Sequence, residues 1–279
     1  MNNLLLGLEK TISNKINLFV KMSGKAIQKY ILHLQQKKFR EKEGIFVAEG
    51  KKIIEEIIHS NIEVKKIYAS EEFLHKHKQS LLSKSIYTEA ISREDLKKIS
   101  SLTEPDDALA LCHFQKTKFS VPESLDNLIV YLDDIRDPGN FGTIIRVCDW
   151  FKIPMIICSK GTVDLYNQKV IQSSMGSFIR IPIFTMELID AIEILQKNFG
   201  ENYPIYGSYV NGNNVYAKKI FSPGMLIIGN ESNGISKINE HLVRERISIP
   251  KTGINGPESL NAAIACSLFL GEFSRRKIN

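Results

Sequence analysis

The sequence predicts an α/β fold in two units, the second built on a parallel sheet with helices on both faces. In the second half of the chain, short apolar runs alternate with helical stretches, as in sheets whose strands are joined by helices. The first run, residues 128–132, is apolar at nearly every position, which is typical of a strand buried on both faces. The 279 residues are enough for two domains of ordinary size.

A smaller α/β module is predicted over residues 22–112. Four isoleucines after Gly50 lie on one helical face, and Ser92 is placed to cap a helix that ends at Ile99. The four isoleucines are Ile53, Ile54, Ile57 and Ile58. Further helices are expected at residues 25–38 and 74–82, a charged turn at 39–43, and extended segments at 44–48, 64–69, 85–88 and 108–112.

A linker is predicted over residues 113–126, which contain few large apolar side chains, and a second domain over residues 127–279. Its other strands are expected at residues 155–158, 205–208, 225–228 and 246–249, and its helices at 142–151, 187–197 and 260–273. A doubly wound sheet carries its site at the carboxyl ends of its strands. The sequence has neither a GxGxxG fingerprint nor a Walker loop, so an ordinary dinucleotide-binding fold is not supported.

Charge is distributed unevenly along the chain. The net charge is +6; residues 1–120 hold 21 Lys and Arg against 15 Asp and Glu, whereas the rest of the chain holds 16 of each. A basic first module beside a neutral second one suits a unit that binds a polyanion such as RNA. A solvated, lysine-rich surface without a partner is the alternative that charge alone leaves open.

The remaining composition favours a cytoplasmic protein. Four cysteines form no CxxC pair, and three lie in apolar runs, which is typical of reduced, buried thiols. His75 and His77 alternate in a lysine-rich stretch without a second ligand pair, so no metal site is expected. No apolar run is long enough for a membrane span, and no signal peptide is evident. Residues 1–21 fit the pattern poorly and are expected to be a loose extension or an upstream start.

Three motifs place turn residues and a polar side chain beside a strand. The first is residues 133–146, DDIRDPGNFGTIIR. Its Pro-Gly pair predicts a tight bend, and Asn140 stands just before the expected helix, where it can cap it. Gly142 would let another backbone or a ligand approach closely.

The second motif is residues 227–236, IIGNESNGIS. It puts Gly229 and Glu231 directly after apolar residues, and a carboxylate at a strand end is a familiar functional position. An Asn-Glu-Ser loop without a function is the alternative. Gly234 permits a turn into a short helix.

The third motif begins at residues 249–253, IPKTG, and continues into residues 258–263, ESLNAA. Ser259 or Asn261 can cap the apolar helix that follows. Backbone groups of such a loop can also bind an adenine or ribose edge without any special side chain.

Taken in this order, the three motifs closely resemble those of the SpoU (TrmH-type) family of RNA ribose methyltransferases, a branch of the SPOUT methyltransferases. The resemblance covers residues 127–275, and residues 24–112, most clearly 44–51 (GIFVAEGK), resemble the ribosomal-protein-like RNA-binding domain often fused to it. It implies a parallel sheet with a deep trefoil knot formed by loops 229–236 and 250–261. It also implies S-adenosylmethionine as cofactor and a homodimer whose active site draws on both subunits.

The resemblance also implies roles for nine positions. The family's polar site residues correspond to Asn140, Arg146, Glu231, Ser259 and Asn261. Cofactor contacts, made largely through backbone, correspond to Gly229, Ile249 and Leu260, with Ser208 at the neighbouring strand end. The implied reaction transfers the sulfonium methyl group to a ribose 2′-hydroxyl. In it, Ser259 and Asn261 shape the site.

Arg146 raises a chemical question. A lone arginine in a helix is most often half of a surface ion pair, here with Asp149 or Asp133. As the activator that the resemblance implies, it is a poor base, because a guanidinium normally stays protonated. Two accounts stay open: Arg146 acts with an RNA phosphate that accepts the proton, or it only positions phosphate and ribose. We expect positioning to be its main role, with Asn140 and Glu231 holding Arg146 and the loops in place.

The interpretation with the most support is an RNA 2′-O-methyltransferase. Ribosomal RNA is favoured over transfer RNA because the appended domain is typical of members that modify rRNA, and the basic domain suggests a structured RNA. The alternatives are a tRNA 2′-O-methyltransferase, a non-catalytic RNA-binding or ribosome-assembly factor, and an enzyme that methylates a base nitrogen. The intact Arg146 and Asn261 favour an enzyme, and Arg146 matches the ribose-modifying branch.

Overall fold

The computed structural model describes residues 24–122, 128–217, 223–253 and 256–278. The predicted extension, residues 1–21, lies outside the described residues. The chain divides into two compact units, Met1–Gln115 and Lys116–Asn279. Within the described ranges, no helix combines the length and the apolar character that crossing a membrane requires.

The first unit is built on a four-stranded mixed sheet in the order β1-β4-β2-β3. Strand β4 is antiparallel to both of its neighbours, and β3 is parallel to β2. The strands are β1 (Ile45–Glu49), β2 (Val64–Ala69), β3 (Thr88–Ala90) and β4 (Ala108–His113). The helices are α1 (Gly24–Leu34), α2 (Lys37–Glu43), α3 (Lys51–His59), α4 (Glu71–Lys76), α5 (Lys78–Ser83) and α6 (Arg93–Ile99).

Several predicted features of this unit are confirmed. The four isoleucines of α3 are all buried. Ser92 caps α6, its hydroxyl oxygen accepting a hydrogen bond from the backbone N–H of Asp95 over 3.1 Å. The strand at residues 64–69 has the predicted bounds.

Several predicted bounds for this unit are wrong. The helix expected at residues 25–38 ends at Leu34, and the strand expected at residues 85–88 runs from Thr88 to Ala90. Residues 39–43, expected to be a turn, belong to α2, because the buried Arg40 donates hydrogen bonds to the carbonyls of Leu34 and Gln35 and so holds α2 against the end of α1. The helix expected at residues 74–82 is two short helices that meet at His77, whose ring packs on Phe73 and lies 3.1 Å from the Glu55 carboxylate.

The second unit is a six-stranded sheet in the order β10-β8-β9-β5-β6-β7, with every neighbouring pair parallel. The strands are β5 (Ile129–Leu132), β6 (Ile156–Cys158), β7 (Ile183–Thr185), β8 (Ile205–Asn214), β9 (Met225–Ile228) and β10 (Glu245–Ser248). The helices are α7 (Pro138–Trp150), α8 (Gln168–Ser174), α9 (Leu188–Phe199), α10 (Lys237–Glu240) and α11 (Ala262–Ile278). The predicted α/β class with a parallel sheet is confirmed.

The strand predictions succeed where the sheet is buried. All residues of β5, β6 and β9 are buried, as the continuous apolar runs predicted. Strand β7 is absent from the prediction because it is a three-residue edge strand that is only partly buried. Strand β8 does not end at Ser208, as predicted, but continues to Asn214. A register shift against β10 leaves residues 208–212 between the pairs Gly207–Arg246 and Asn213–Ile247, and pairing resumes after it.

The order of the strands brings the motifs together. Strands β5 and β9 are neighbours, and their last residues, Leu132 and Ile228, stand side by side. The first and second motifs therefore leave the sheet at the same edge. The third motif follows β10 and leads into α11, which packs back against α7.

Candidate active site

The first motif forms the turn from β5 into α7. Asp137 is the N-cap of α7, and its Oδ1 accepts a hydrogen bond from the backbone N–H of Asn140 over 2.8 Å. Pro138 occupies the first helical position, where its fixed φ suits the helix and its missing N–H costs nothing. The helix therefore begins four residues earlier than the predicted Gly142. Asn140 lies in its first turn, so its predicted role as the cap is wrong and its side chain is available for other contacts.

Gly142 fixes the packing of α7 against α8. A Cβ at this position would lie 2.4 Å from the Cβ of Ser173 and 2.7 Å from the carbonyl oxygen of Val170. Real side chains do not tolerate such distances, so only glycine permits this approach. The predicted close approach of another backbone is confirmed, and it comes from α8.

The second motif is a compact loop that closes on itself. A Cβ on Gly229 would lie 2.3 Å from the carbonyl carbon of Gly234, so the two ends of the loop touch through backbone. The backbones of Asn230 and Gly234 exchange two hydrogen bonds of 2.9 and 3.0 Å. The side-chain oxygen of Asn230 accepts the N–H groups of Ser232 and Asn233, both over 3.0 Å. The loop thus has a defined shape of its own.

Glu231 connects this loop to the first motif. Its carboxylate accepts a hydrogen bond of 2.8 Å from the side-chain amide of Asn140 and one of 3.3 Å from that of Asn230. Longer contacts of 3.5 and 3.4 Å come from the backbone N–H groups of Arg136 and Asp137. Glu231 therefore serves as an acceptor for the turn that opens α7.

The third motif joins the same network through Asn261. Its side-chain oxygen accepts the backbone N–H of Ala263 over 2.9 Å, so Asn261 caps α11, as one of the two predicted candidates. Its side-chain amide donates to the side-chain oxygen of Asn140 over 2.8 Å. Asn261, Asn140 and Glu231 thus form a hydrogen-bonded chain that passes once through each motif.

Ser259 lies outside this chain of contacts. It is exposed, and within the part of the protein that the structure describes it makes no hydrogen bond. Ser259 does not cap α11. Of the two candidates for that role, Asn261 is the cap. The shaping role expected for Ser259 stays a prediction.

Arg146 projects from α7 at an exposed position. It forms no hydrogen bond or ion pair among the described residues. The surface ion pair considered for it is absent, because Arg180 binds Asp149 over 2.7 Å and Asp133 is bound elsewhere. Asn140 and Glu231 were expected to hold both Arg146 and the loops in place; among the described residues they bond to each other and not to Arg146, so these contacts bear on the loops, and the roles stay a prediction.

Two of the positions predicted to bind a cofactor, Ile249 and Leu260, flank the loop after β10. Leu260 is 44% exposed although it is a large apolar residue, and Ile249 is partly buried. In residues 251–253 and 256–261, no backbone N–H donates a hydrogen bond within the described part of the chain. Unused backbone donors beside an exposed apolar side chain fit a ligand with a flat apolar ring and polar edges.

Ser208 lies where the ladder between β8 and β9 ends, since the last pair of that ladder is Gly207 with Ile227. It is partly buried. Its position beside the end of β9 is close to what was predicted, and its contact with a cofactor stays a prediction.

Two acidic residues of the first motif, Asp133 and Asp134, were not predicted to have a role in the site, although Asp133 was considered as an ion-pair partner of Arg146. Asp133 is only 2% exposed, and its oxygens accept the backbone N–H of Ser236 over 2.8 Å and the side-chain amide of Asn239 over 3.0 Å. The carbonyl of Asp134 accepts the side-chain amide of Asn230 over 2.7 Å. The signal was visible in the sequence as two adjacent acids directly after a buried strand.

Metal binding has no candidate among the described residues, where no group of three or more His, Cys, Asp or Glu side chains is arranged to hold an ion. His77 instead contacts Glu55, in the first unit.

Comparison with known proteins agrees with this geometry. Residues 127–271 match the sequence model of the SpoU rRNA Methylase family, and residues 26–110 match that of the MRM3-like substrate binding domain. The 23S rRNA guanosine 2′-O-methyltransferase RlmP of Bacillus subtilis is 27% identical over 238 residues, which cover 85% of this chain and 91% of that protein. The mitochondrial rRNA methyltransferase 3 of Xenopus laevis is 25% identical, over 90% of this chain and 74% of its own.

A solved structure has a similar fold. The SpoU methyltransferase AviRb from Streptomyces viridochromogenes, in complex with AdoMet, superposes with a TM-score of 0.79 at 26% identity. The superposition covers 91% of this chain and 98% of AviRb.

Proposed function

The chain belongs to the SpoU rRNA methylase family, and from that premise we propose that it is an RNA methyltransferase that transfers a methyl group from S-adenosylmethionine to a ribose 2′-hydroxyl of ribosomal RNA. The observation that carries the proposal is the hydrogen-bonded chain of Asn261, Asn140 and Glu231, which ties the three motifs together. The exposed Arg146 lies on the same helix as Asn140. A non-catalytic protein with the same fold would not need these contacts between the three motifs.

The cofactor supplies an electrophilic methyl group on a sulfonium sulfur. The residues that would hold it are Gly229, Ile249 and Leu260, with Ser208 at the edge of the site. The exposed Leu260 and the unused backbone N–H groups of its loop support this placement. The compact loop that begins at Gly229 would form the opposite wall.

Arg146 is proposed to bind the phosphate next to the target ribose and so align the 2′-hydroxyl for attack. Its guanidinium is exposed and unpaired within the described residues, and is therefore free for an anion. Among the residues that the structure describes, it also bonds to no carboxylate that could receive a proton from it. Alignment of two reacting groups can contribute several kcal/mol to a rate, about 7 or more in well-oriented cases. Transfer of the proton to an RNA phosphate stays open as a second account.

Asn140 and Glu231 are proposed to hold the loops rather than Arg146 itself. Their bond joins the start of α7 to the loop after β9 over 2.8 Å. Asn261 extends the same connection to α11, so a shift of one motif would move the other two.

The test compares total RNA from a strain that lacks the protein with RNA from its parent, mapped for 2′-O-methylation by resistance to alkaline cleavage. Loss of one protected ribose, restored by the wild-type protein but not by Arg146→Ala, is the expected result. Arg244→Ala is the matched control: Arg244 is exposed and stands just before β10, at the end of the strand opposite the third motif. An unchanged map would demote catalysis in favour of an RNA-binding or ribosome-assembly factor.

The first unit is proposed to bind the RNA. Its residues 22–112 would form an RNA-binding domain, joined by a linker at 113–126 to the methyltransferase domain at 127–279. The excess of basic residues before position 121 supports this role. The fragment 22–112 need not be isolated to test it: in the full chain, substitution of its exposed lysines should raise the KM for RNA and leave the affinity for S-adenosylmethionine unchanged.

The protein is proposed to act as a homodimer. Three exposed apolar residues recur at intervals of four where α11 begins. Leu260 stands two residues before the helix, Ile264 and Leu268 lie within it, and they are 44%, 53% and 39% exposed. Trp150, at the end of the adjoining α7, is 83% exposed. Apolar side chains grouped on two packed helices suit a protein interface. Sedimentation equilibrium that gives the monomer mass at all concentrations would overturn this part.

A trefoil knot formed by loops 229–236 and 250–261 is also part of the proposal. The knot is supported by the return of α11 to α7 after the third motif. A crystal structure whose chain passes outside loop 229–236 would contradict it.

A cytoplasmic location is proposed as well. It is supported by four free, buried cysteines, which suit a reducing compartment. Localisation of a tagged protein tests it.

A further inference from the structure

Asp133 holds both ends of the loop that carries Gly229 and Glu231. Its backbone N–H donates to the carbonyl of Ile228, the last residue before the loop, over 2.9 Å. Its carboxylate accepts the backbone N–H of Ser236, just after the loop, over 2.8 Å. Asp133, directly after β5, therefore sets the distance between the two ends of the loop.

The carboxylate is buried and both of its oxygens are used. Asp133 is 2% exposed, and its second oxygen accepts the side-chain amide of Asn239, on α10, over 3.0 Å. Burying a carboxylate costs free energy that neutral donors only partly return. A leucine or asparagine would fill the same space with less desolvation, so packing alone gives no reason for an aspartate here.

We propose that Asp133 is a positioning residue for the cofactor: by fixing Ser236 and Asn239 it holds loop 229–235 in the position in which it binds S-adenosylmethionine. The inference rests on the proposed function, in which Gly229 contacts the cofactor. Asp133 acts through the loop and does not touch the reacting atoms.

The geometry allows a test by exchange of the two partners. In D133N, an amide with one accepting oxygen and one donating nitrogen faces two donors, so one hydrogen bond is lost and two donors oppose each other. In N239D, two carboxylates face each other. In the double variant D133N/N239D, the introduced amide oxygen can accept the N–H of Ser236 while its nitrogen donates to the introduced carboxylate. Both hydrogen bonds are then restored, and the negative charge has moved from residue 133 to residue 239.

The measurement is calorimetric binding of S-adenosylmethionine to the full-length protein without RNA, with the melting temperature of each variant as a check of folding. Each single variant should bind at least about tenfold more weakly, the loss expected for one broken buried hydrogen bond, and the double variant should recover most of the affinity. In the methylation assay the KM for the cofactor should rise more than kcat falls, and the KM for RNA should stay unchanged.

The outcomes separate the inference from its premise. If folded D133N binds the cofactor as tightly as the wild type, or if the double variant binds as weakly as the single ones, the inference is overturned and the proposed function stands. If the wild type itself does not bind S-adenosylmethionine, the proposed function falls and the inference falls with it.

Discussion

The side-chain amide of Asn140 donates a hydrogen bond of 2.8 Å to the carboxylate of Glu231, a residue 91 positions later in the chain. The bond crosses from the first turn of α7 to the loop after β9. Because β5 and β9 are neighbours in the sheet, both residues leave it at the same edge. Asn140 also accepts from Asn261, so its two amide atoms are both committed to other motifs.

Glu231→Gln should reduce turnover at least about tenfold while the protein stays folded. The carboxylate accepts donors on both oxygens, and a glutamine would turn an N–H toward one set of them. A hydrogen bond to a charged group contributes about 1.5–3 kcal/mol, which sets the scale of the loss. Methyl incorporation into rRNA under saturating cofactor measures the effect.

Glu193→Gln is the matched control for this variant, since Glu193 is exposed on α9. It should leave turnover unchanged. Equal activity of Glu231→Gln and the control would show that the bond to Asn140 does not matter for the reaction.

Sequence patterns predicted the buried parts of the fold better than its margins. Strand β9 and the stripe of α3 follow from hydrophobic patterns whose physical cause, burial, operates locally. The start of α7 was misplaced because Asp137 competes with Asn140 for the role of cap, and both are good caps. The end of β8 was misplaced because a register shift against β10 depends on a partner strand that local sequence does not contain.

The site was predicted in its members but not in its contacts. The motifs named Asn140, Glu231 and Asn261, and the structure joins these three. That Arg146 would stand apart could not be inferred, because it depends on Arg180 binding Asp149 from another element. The contacts of Asp133 were missed for the same reason, since its partners lie more than a hundred residues away in the sequence.

Gly142→Ala should destabilise the protein by about 1–3 kcal/mol or more. The added Cβ would lie 2.4 Å from the Cβ of Ser173 and 2.7 Å from a backbone oxygen of α8, so one of the two helices must move. Gly271→Ala, within α11, is the control: its Cβ would find its nearest atom, in the Phe151 ring, at 3.8 Å. That substitution should be neutral or stabilise by up to about 1 kcal/mol. Urea unfolding measures both; similar losses for the two variants would contradict the packing argument.

The buried thiols should make stability fall at alkaline pH. Burial raises the pKa of the Cys158 thiol well above its usual range. The folded state then keeps a proton that the unfolded state releases, so this contribution is complete below the ordinary thiol pKa of about 8.5 and is lost as pH rises above it, at about 1.4 kcal/mol per unit.

Urea unfolding of the wild type and Cys158→Ala between pH 7 and 10 tests this thiol. The variant will be less stable at every pH because it leaves a cavity, so the slopes are compared rather than the free energies. The slope of the variant should be shallower above pH 8.5 by about one proton. Parallel slopes would mean that the Cys158 thiol is not held protonated by the fold.

Ile264→Asp should convert the proposed dimer into monomers. Ile264 is 53% exposed at the centre of the apolar stripe on α11, and a carboxylate there would be desolvated on association. Ile238→Asp is the matched control, because Ile238 is 77% exposed but lies on α10, away from that stripe.

Trp150 is the only tryptophan in the chain, so its fluorescence reports on this surface without labelling. If α7 and α11 form the interface, acrylamide should quench Trp150 weakly in the wild type and the control and strongly in Ile264→Asp, in parallel with the masses from sedimentation. Strong quenching of the wild type at concentrations where it sediments as a dimer would place the interface elsewhere.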